Sequence, residues 1–174
     1  MAFDRLAWLS AVAVSVHNLE EAVWLPKWSA SCGRWHRPVA AGPFRFTVAA
    51  LTLAAWAAVF LAVLGGRESI GAYLTAGYAL AMLLNVVFPH LLAVVVLRRY
   101  APGIATALVL NLPVTLLLLQ KAFADGFVSP SRFVWVGPLV VAGILGLIPA
   151  MLILGRRMTG WAVKTAGGRR SGEQ

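Results

Sequence analysis

His17, Glu20 and Glu21 place an imidazole and two carboxylates within little more than one helical turn, near the end of an otherwise apolar stretch. Ionisable groups inside a membrane span are costly to hold there and mark function by default. Each residue of a helix advances about 100°, so Glu20 and Glu21 fall on either side of His17 and all three project from one face. Such a set can hold a metal or move a proton. His17 and Glu20 have the i, i+3 spacing of helical carboxylate–imidazole ligand pairs. Adding Glu21 and His90 gives nitrogen and oxygen donors suited to one divalent ion, zinc, iron or manganese, with room for an open position. The donors are too few for two metals, and Glu21 stands where helical zinc signatures put a second histidine. Without a metal, two adjacent carboxyls in low dielectric repel and share a proton. Beside His17 and His90 they make a proton donor and acceptor in one cavity.

The elements that position these groups follow from composition. The chain of 174 residues is 60% hydrophobic and only 12% charged, with a mean hydropathy of +0.82, whereas a soluble domain carries about a quarter charged residues. This is the composition of an all-α, polytopic membrane protein. The net charge of +9 first reports topology and attraction to anionic headgroups. A nucleic-acid partner would need a soluble basic face, which the sequence lacks. Cys32 is the sole cysteine, which excludes an intrachain disulfide and a cysteine metal cluster.

Five spans are expected. Helix one runs from Asp4, a potential N-cap, to Trp24 and is closed by Pro26. A basic loop to Pro43 carries Trp28, Trp35 and His36 and suits the headgroup level. Phe46 to Gly66, Ser69 to Leu97, Pro102 to Gln120 and Phe133 to Gly155 follow, each able to cross about 30 Å. Pro89 kinks the third span, and Pro113 bends the fourth. Residues 1–157 thus form one transmembrane domain, and 158–174 a basic tail expected to be disordered. With five spans the basic residues divide as four (Arg5, Arg67, Lys121, Arg132) against eleven. The N-terminus is therefore expected outside and the C-terminus inside, as in a bacterial-type inner membrane.

Topology sets depth. Helices one and three run in the same direction, and His17 and His90 both lie about 10 Å inside the cytoplasmic boundary. Asn85, one turn deeper than His90, and Asn111 on the returning helix reach a similar level. Pro89 cannot donate to the carbonyl of Asn85, and free backbone in lipid is tolerated only against protein or a wet cavity. One buried polar pocket in the cytoplasmic leaflet is expected, lined by His17, Glu20, Glu21, Asn85 and His90. Tyr100, Gly103, Trp24 and Asn111 would shape the pocket or its mouth. Plainer roles compete: asparagines as interhelical hydrogen-bond partners, His90 as a packing residue, the glutamates as hydrated caps.

His17-x-x-Glu20-Glu21, followed by Pro26 and Trp28, resembles the motif of the HXXEE membrane proteins. The Asn85–His90 segment, Tyr100-Ala101-Pro102-Gly103, Thr106 and Pro113 carry the likeness further along the chain. That family consists of small integral membrane proteins of uncharacterised function. The resemblance therefore implies the fold and the pocket but supplies no reaction.

The expected function is an enzyme acting on a lipophilic molecule, an isoprenoid, sterol, quinone or acyl lipid, by acid/base isomerisation, cyclisation or hydrolysis, with or without the divalent metal. The expected partners are that molecule and membrane lipids. A small proton-coupled transporter is the alternative, although no inverted repeat suggests alternating access. A non-catalytic membrane interaction protein would leave the glutamates without a role.

Overall fold

The computed structural model describes residues 2–33 and 38–170, with side chains through Met158. His36, Trp35 and two arginines of the basic loop, and with them the interfacial role expected of His36, lie outside the described residues. Among those described there are five helices and no strand: α1 (Phe3–Ala30), α2 (Ala41–Gly65), α3 (Ile70–Leu97), α4 (Ile104–Ala124) and α5 (Pro130–Arg170). The last four, α5 as far as Met158, are long and apolar enough to cross a membrane. α1 has the length but not the composition, because Asp4, Arg5, Glu20, Glu21 and Lys27 interrupt it.

Small residues let these helices approach closely. A Cβ on Gly71 of α3 would strike the α2 backbone at Leu61 and Ala62. The core beside it combines Ala7 and Ala11, Ala62, Ala72 and Ala76, and Ala122 with the larger Phe3, Leu6, Val59 and Leu118. Gly66, at φ +68°, ends α2. Ser69 then starts α3 by accepting a hydrogen bond from the Ala72 N–H at 3.1 Å, satisfying one of the first-turn donors.

Both ends of α1 differ from expectation. α1 begins after Ala2, which makes no side-chain cap, so Asp4 sits in the first turn. It also continues through Pro26 to Ala30. Proline removes one donor from the ladder, here the one owed to the Ala22 carbonyl. Arg45 of α2 supplies the replacement, its Nε donating to that carbonyl at 3.1 Å. Arg45→Ala should therefore cost about 0.5–1.5 kcal/mol. In a Pro26→Ala background, where the restored N–H takes the carbonyl, the same substitution should cost much less. Thermal melts of the two single variants and the double variant in one detergent measure this coupling, and equal losses in both backgrounds would rule it out.

α3 is kinked and α4 contains one widened turn. The kink lies within Val86–Leu91, where Phe88 leaves helical geometry at φ −130° and ψ 118° just before Pro89. The widened turn in α4 spans Ala107–Asn111 and precedes Pro113, whose missing N–H frees an acceptor within that turn. His90 follows the kink, and Asn111 ends the widened turn. The backbone of α5 is helical through Arg170, past the Gly155–Arg156–Arg157 point at which the span was expected to end.

Candidate functional site

α1 and α3 bring His17 and His90 together edge to face, with ring centroids 4.9 Å apart. Both are almost fully buried, at 1% and 2% exposure. Glu21 completes the cluster: its Oε1 lies 3.3 Å from His90 Nε2 and 3.9 Å from His17 Nε2. Asn85, at the end of the regular part of α3, donates from Nδ2 to His17 Nε2 at 3.1 Å. The kink after Asn85 places His90 against α1. The helical pair in contact is thus i, i+4, His17 with Glu21.

Glu20, expected among the metal ligands, is not one of the three groups whose ligand atoms lie together, His17, Glu21 and His90. The Glu20 carboxylate accepts from the Gly103 N–H at 2.8 Å, the Thr106 N–H at 3.3 Å, the Thr106 hydroxyl at 2.6 Å and the Tyr100 hydroxyl. One step of about 100° turns it away from Glu21, so it secures the connection between α3 and α4 against α1. The Tyr100 phenol outside the spans is pushed up to about 12, by lost hydration first and then by the hydrogen bond to Glu20 and its charge.

Thr106 joins the two halves of the site. Its hydroxyl lies 2.6 Å from Glu20 Oε2 and 3.0 Å from His17 Nδ1. With the Thr106 proton given to Glu20, His17 Nδ1 is the donor to Thr106. That leaves the lone pair of Nε2 facing Asn85 and Glu21, because a neutral imidazole has one donor and one acceptor nitrogen. Gly103, at φ +93°, passes so close to the histidines that a Cβ would collide with His90 Cε1 and come within 3.0 Å of His17 Cε1. Residue types and spacing give no signal for Thr106 as a positioning group. Only the family likeness singles it out.

The remaining expected residues lie elsewhere. Asn111 is fully buried, and neither end of its amide makes a hydrogen bond, to the cluster or to any other described group. Trp24 is 58% exposed and lines a separate outer cavity of about 550 Å³ with Lys27, Trp28, Tyr100 and Pro102. His17, Glu21 and Asn85 line an inner cavity of about 360 Å³ whose other walls include Leu51, Tyr78, Val87, Phe88, Ile144 and Leu145. Val87, Phe88 and Leu145 are 59%, 69% and 62% exposed, so this cavity reaches the outer apolar surface between α3 and α5. It joins the His17 imidazole, the Glu21 carboxylate and the Asn85 amide to a greasy space.

Comparison with known proteins gives two matches. Residues 8–118 match the family described as "Protein of unknown function with HXXEE motif". The chain is also 34% identical over 148 residues to the uncharacterized protein YrkK of Bacillus subtilis (strain 168), across 84% of this chain and 93% of that one. No solved structure matches.

Proposed function

The chain belongs to the HXXEE family, and from that premise we propose a five-span membrane enzyme whose His17, Glu21 and His90 act on a lipophilic molecule. The observation that carries this reading is the inner cavity, polar at His17, Glu21 and Asn85 and apolar where it meets the outer surface. A substrate dissolved in lipid, such as an isoprenoid, sterol, quinone or acyl lipid, would enter between α3 and α5 without crossing water. Glu21, which lines the cavity with the buried His90 behind it, would exchange a proton with it, and Asn85 would orient His17. Isomerisation, cyclisation and hydrolysis all need such an acid/base pair.

A fifth span is supported by the surface of α1. Leu9, Val12, Val16, Leu19 and Val23 are 40–64% exposed and recur at the three- and four-residue steps of one helical face. His17 and Asn18 are buried on the other side. A helix apolar outside and polar inside suits lipid on one face and a site on the other. The four-against-eleven division of basic residues then puts the N-terminus outside and the C-terminus in the cytoplasm of a bacterial-type inner membrane, with membrane lipids as partners.

The test places the purified chain in nanodiscs with a total lipid extract and follows the lipids by untargeted mass spectrometry. Wild type should consume one lipid and form another. Glu21→Gln should slow this by about 100-fold or more while keeping its helical circular dichroism and elution volume. Lipid profiles that stay the same with wild type and with Glu21→Gln would remove the proposal.

A further inference from the structure

We infer that His17 Nε2, His90 Nε2 and a carboxylate oxygen of Glu21 hold one divalent transition metal, with its open coordination position facing the inner cavity. The inference deepens the preceding one and rests on reading those three residues as a single working site.

The three ligand atoms lie within 4.8 Å of one another. Two ligands bound at about 2.1 Å and the tetrahedral angle are about 3.4 Å apart. The His90–Glu21 pair already has that separation at 3.3 Å, and the His17–Glu21 pair at 3.9 Å needs only slight closure. A second observation points the same way. His90 Nε2 is buried and makes no hydrogen bond, although the Glu21 carboxylate is beside it. A buried imidazole nitrogen without a hydrogen bond is costly. The groups converge on a common point rather than on each other, and a cation at that point satisfies all three.

The surroundings supply what a metal-bound histidine needs. Its other ring nitrogen ordinarily donates to a carboxylate, carbonyl or hydroxyl that sets the tautomer and raises ligand basicity. His17 Nδ1 meets the Thr106 hydroxyl, which in turn donates to Glu20. This leaves Nε2 as the free donor, and metal binding exchanges its hydrogen bond from Asn85 for a metal bond. Two histidines and one carboxylate are shared by hydrolytic zinc sites and by non-haem iron(II) sites, both with open positions. Thr106 and Glu20 act here as positioning residues.

The experiment purifies the full chain in mild detergent without chelator and measures metals by plasma mass spectrometry. Wild type should carry about one transition metal per chain, and the element found separates zinc from iron or manganese. His90→Gln and Glu21→Gln, which keep side-chain volume, should lose it while eluting as wild type does. Thr106→Val should bind about 10–100-fold more weakly, a deficit that high metal concentration should reverse and that loss of packing would not let it reverse. Adding Zn²⁺, Fe²⁺ or Mn²⁺ should raise the melting temperature of wild type and not of His90→Gln. A monodisperse wild type that contains no transition metal and whose melting none of the three ions raises would overturn the metal site. That outcome leaves metal-free acid/base chemistry intact, whereas bound metal with no lipid conversion would sink the enzyme and keep the metal centre.

Discussion

Gly103→Ala should disrupt the site more severely than any other single methyl group added to this chain. The residue sits at φ +93°, and a Cβ there would collide with His90 and crowd His17. Two costs combine: alanine in a left-handed conformation is strained by about 1–3 kcal/mol, and overpacking a close contact adds about 1–3 kcal/mol. Relief requires moving an imidazole, so the cluster should lose the proposed metal binding and the proposed activity even where the bundle survives. Gly126 provides the control. It also has positive φ, at +68°, but no atom lies within 4 Å of its hypothetical Cβ. Gly126→Ala should therefore show the backbone strain alone. Comparing the unfolding free energies and metal contents of the two variants isolates the collision, and matching values for both would show that the close approach does not matter.

Adjacent glutamates should behave in opposite ways. The Glu20 carboxylate accepts hydrogen bonds from two backbone amides, Gly103 and Thr106, and two hydroxyls, and is 6% exposed. In Glu20→Ala the two amides lose their partner, at about 1–3 kcal/mol each, so a destabilisation of about 2–6 kcal/mol is expected. Glu20→Gln keeps an acceptor oxygen but turns an NH₂ toward donors, and should fall between. Glu21 makes no comparable set of bonds among the described residues and is 15% exposed. Glu21→Gln should leave stability within about 1 kcal/mol of wild type while removing function. Denaturant titration in detergent beside the lipid-conversion assay separates the two roles. Equal destabilisation by Glu20→Ala and Glu21→Gln would mean that both carboxylates serve the fold.

Much of this site is legible in the residues themselves. The helical wheel sets Glu20 and Glu21 on either side of His17 but on one face, and it does not tell that Glu20 meets Tyr100 and Thr106 while Glu21 meets His90. Counting along the spans brings His90 to the depth of His17, and the rings do meet. Pro89 marks the break in α3, since a residue without an N–H must interrupt the ladder wherever it falls. Pro26 shows the limit of the same rule. It was expected to end α1, yet the helix passes through it because Arg45, on another helix, donates to the stranded carbonyl. Long-range substitution of this kind leaves no trace in local sequence.

Covalent geometry and composition, acting over a few turns, determine the helices, their apolar lengths and the face on which His17 and both glutamates project. Those are local properties, so the sequence alone carries them. Which glutamate meets His90 and which meets Tyr100 and Thr106 depends on where α3 and α4 pack around α1. The same packing leaves Asn111 outside the cluster and turns Trp24 to an outer cavity. Only tertiary structure decides such matters, because a side chain's direction is set by its own helix but its partner is chosen by the close packing of the others.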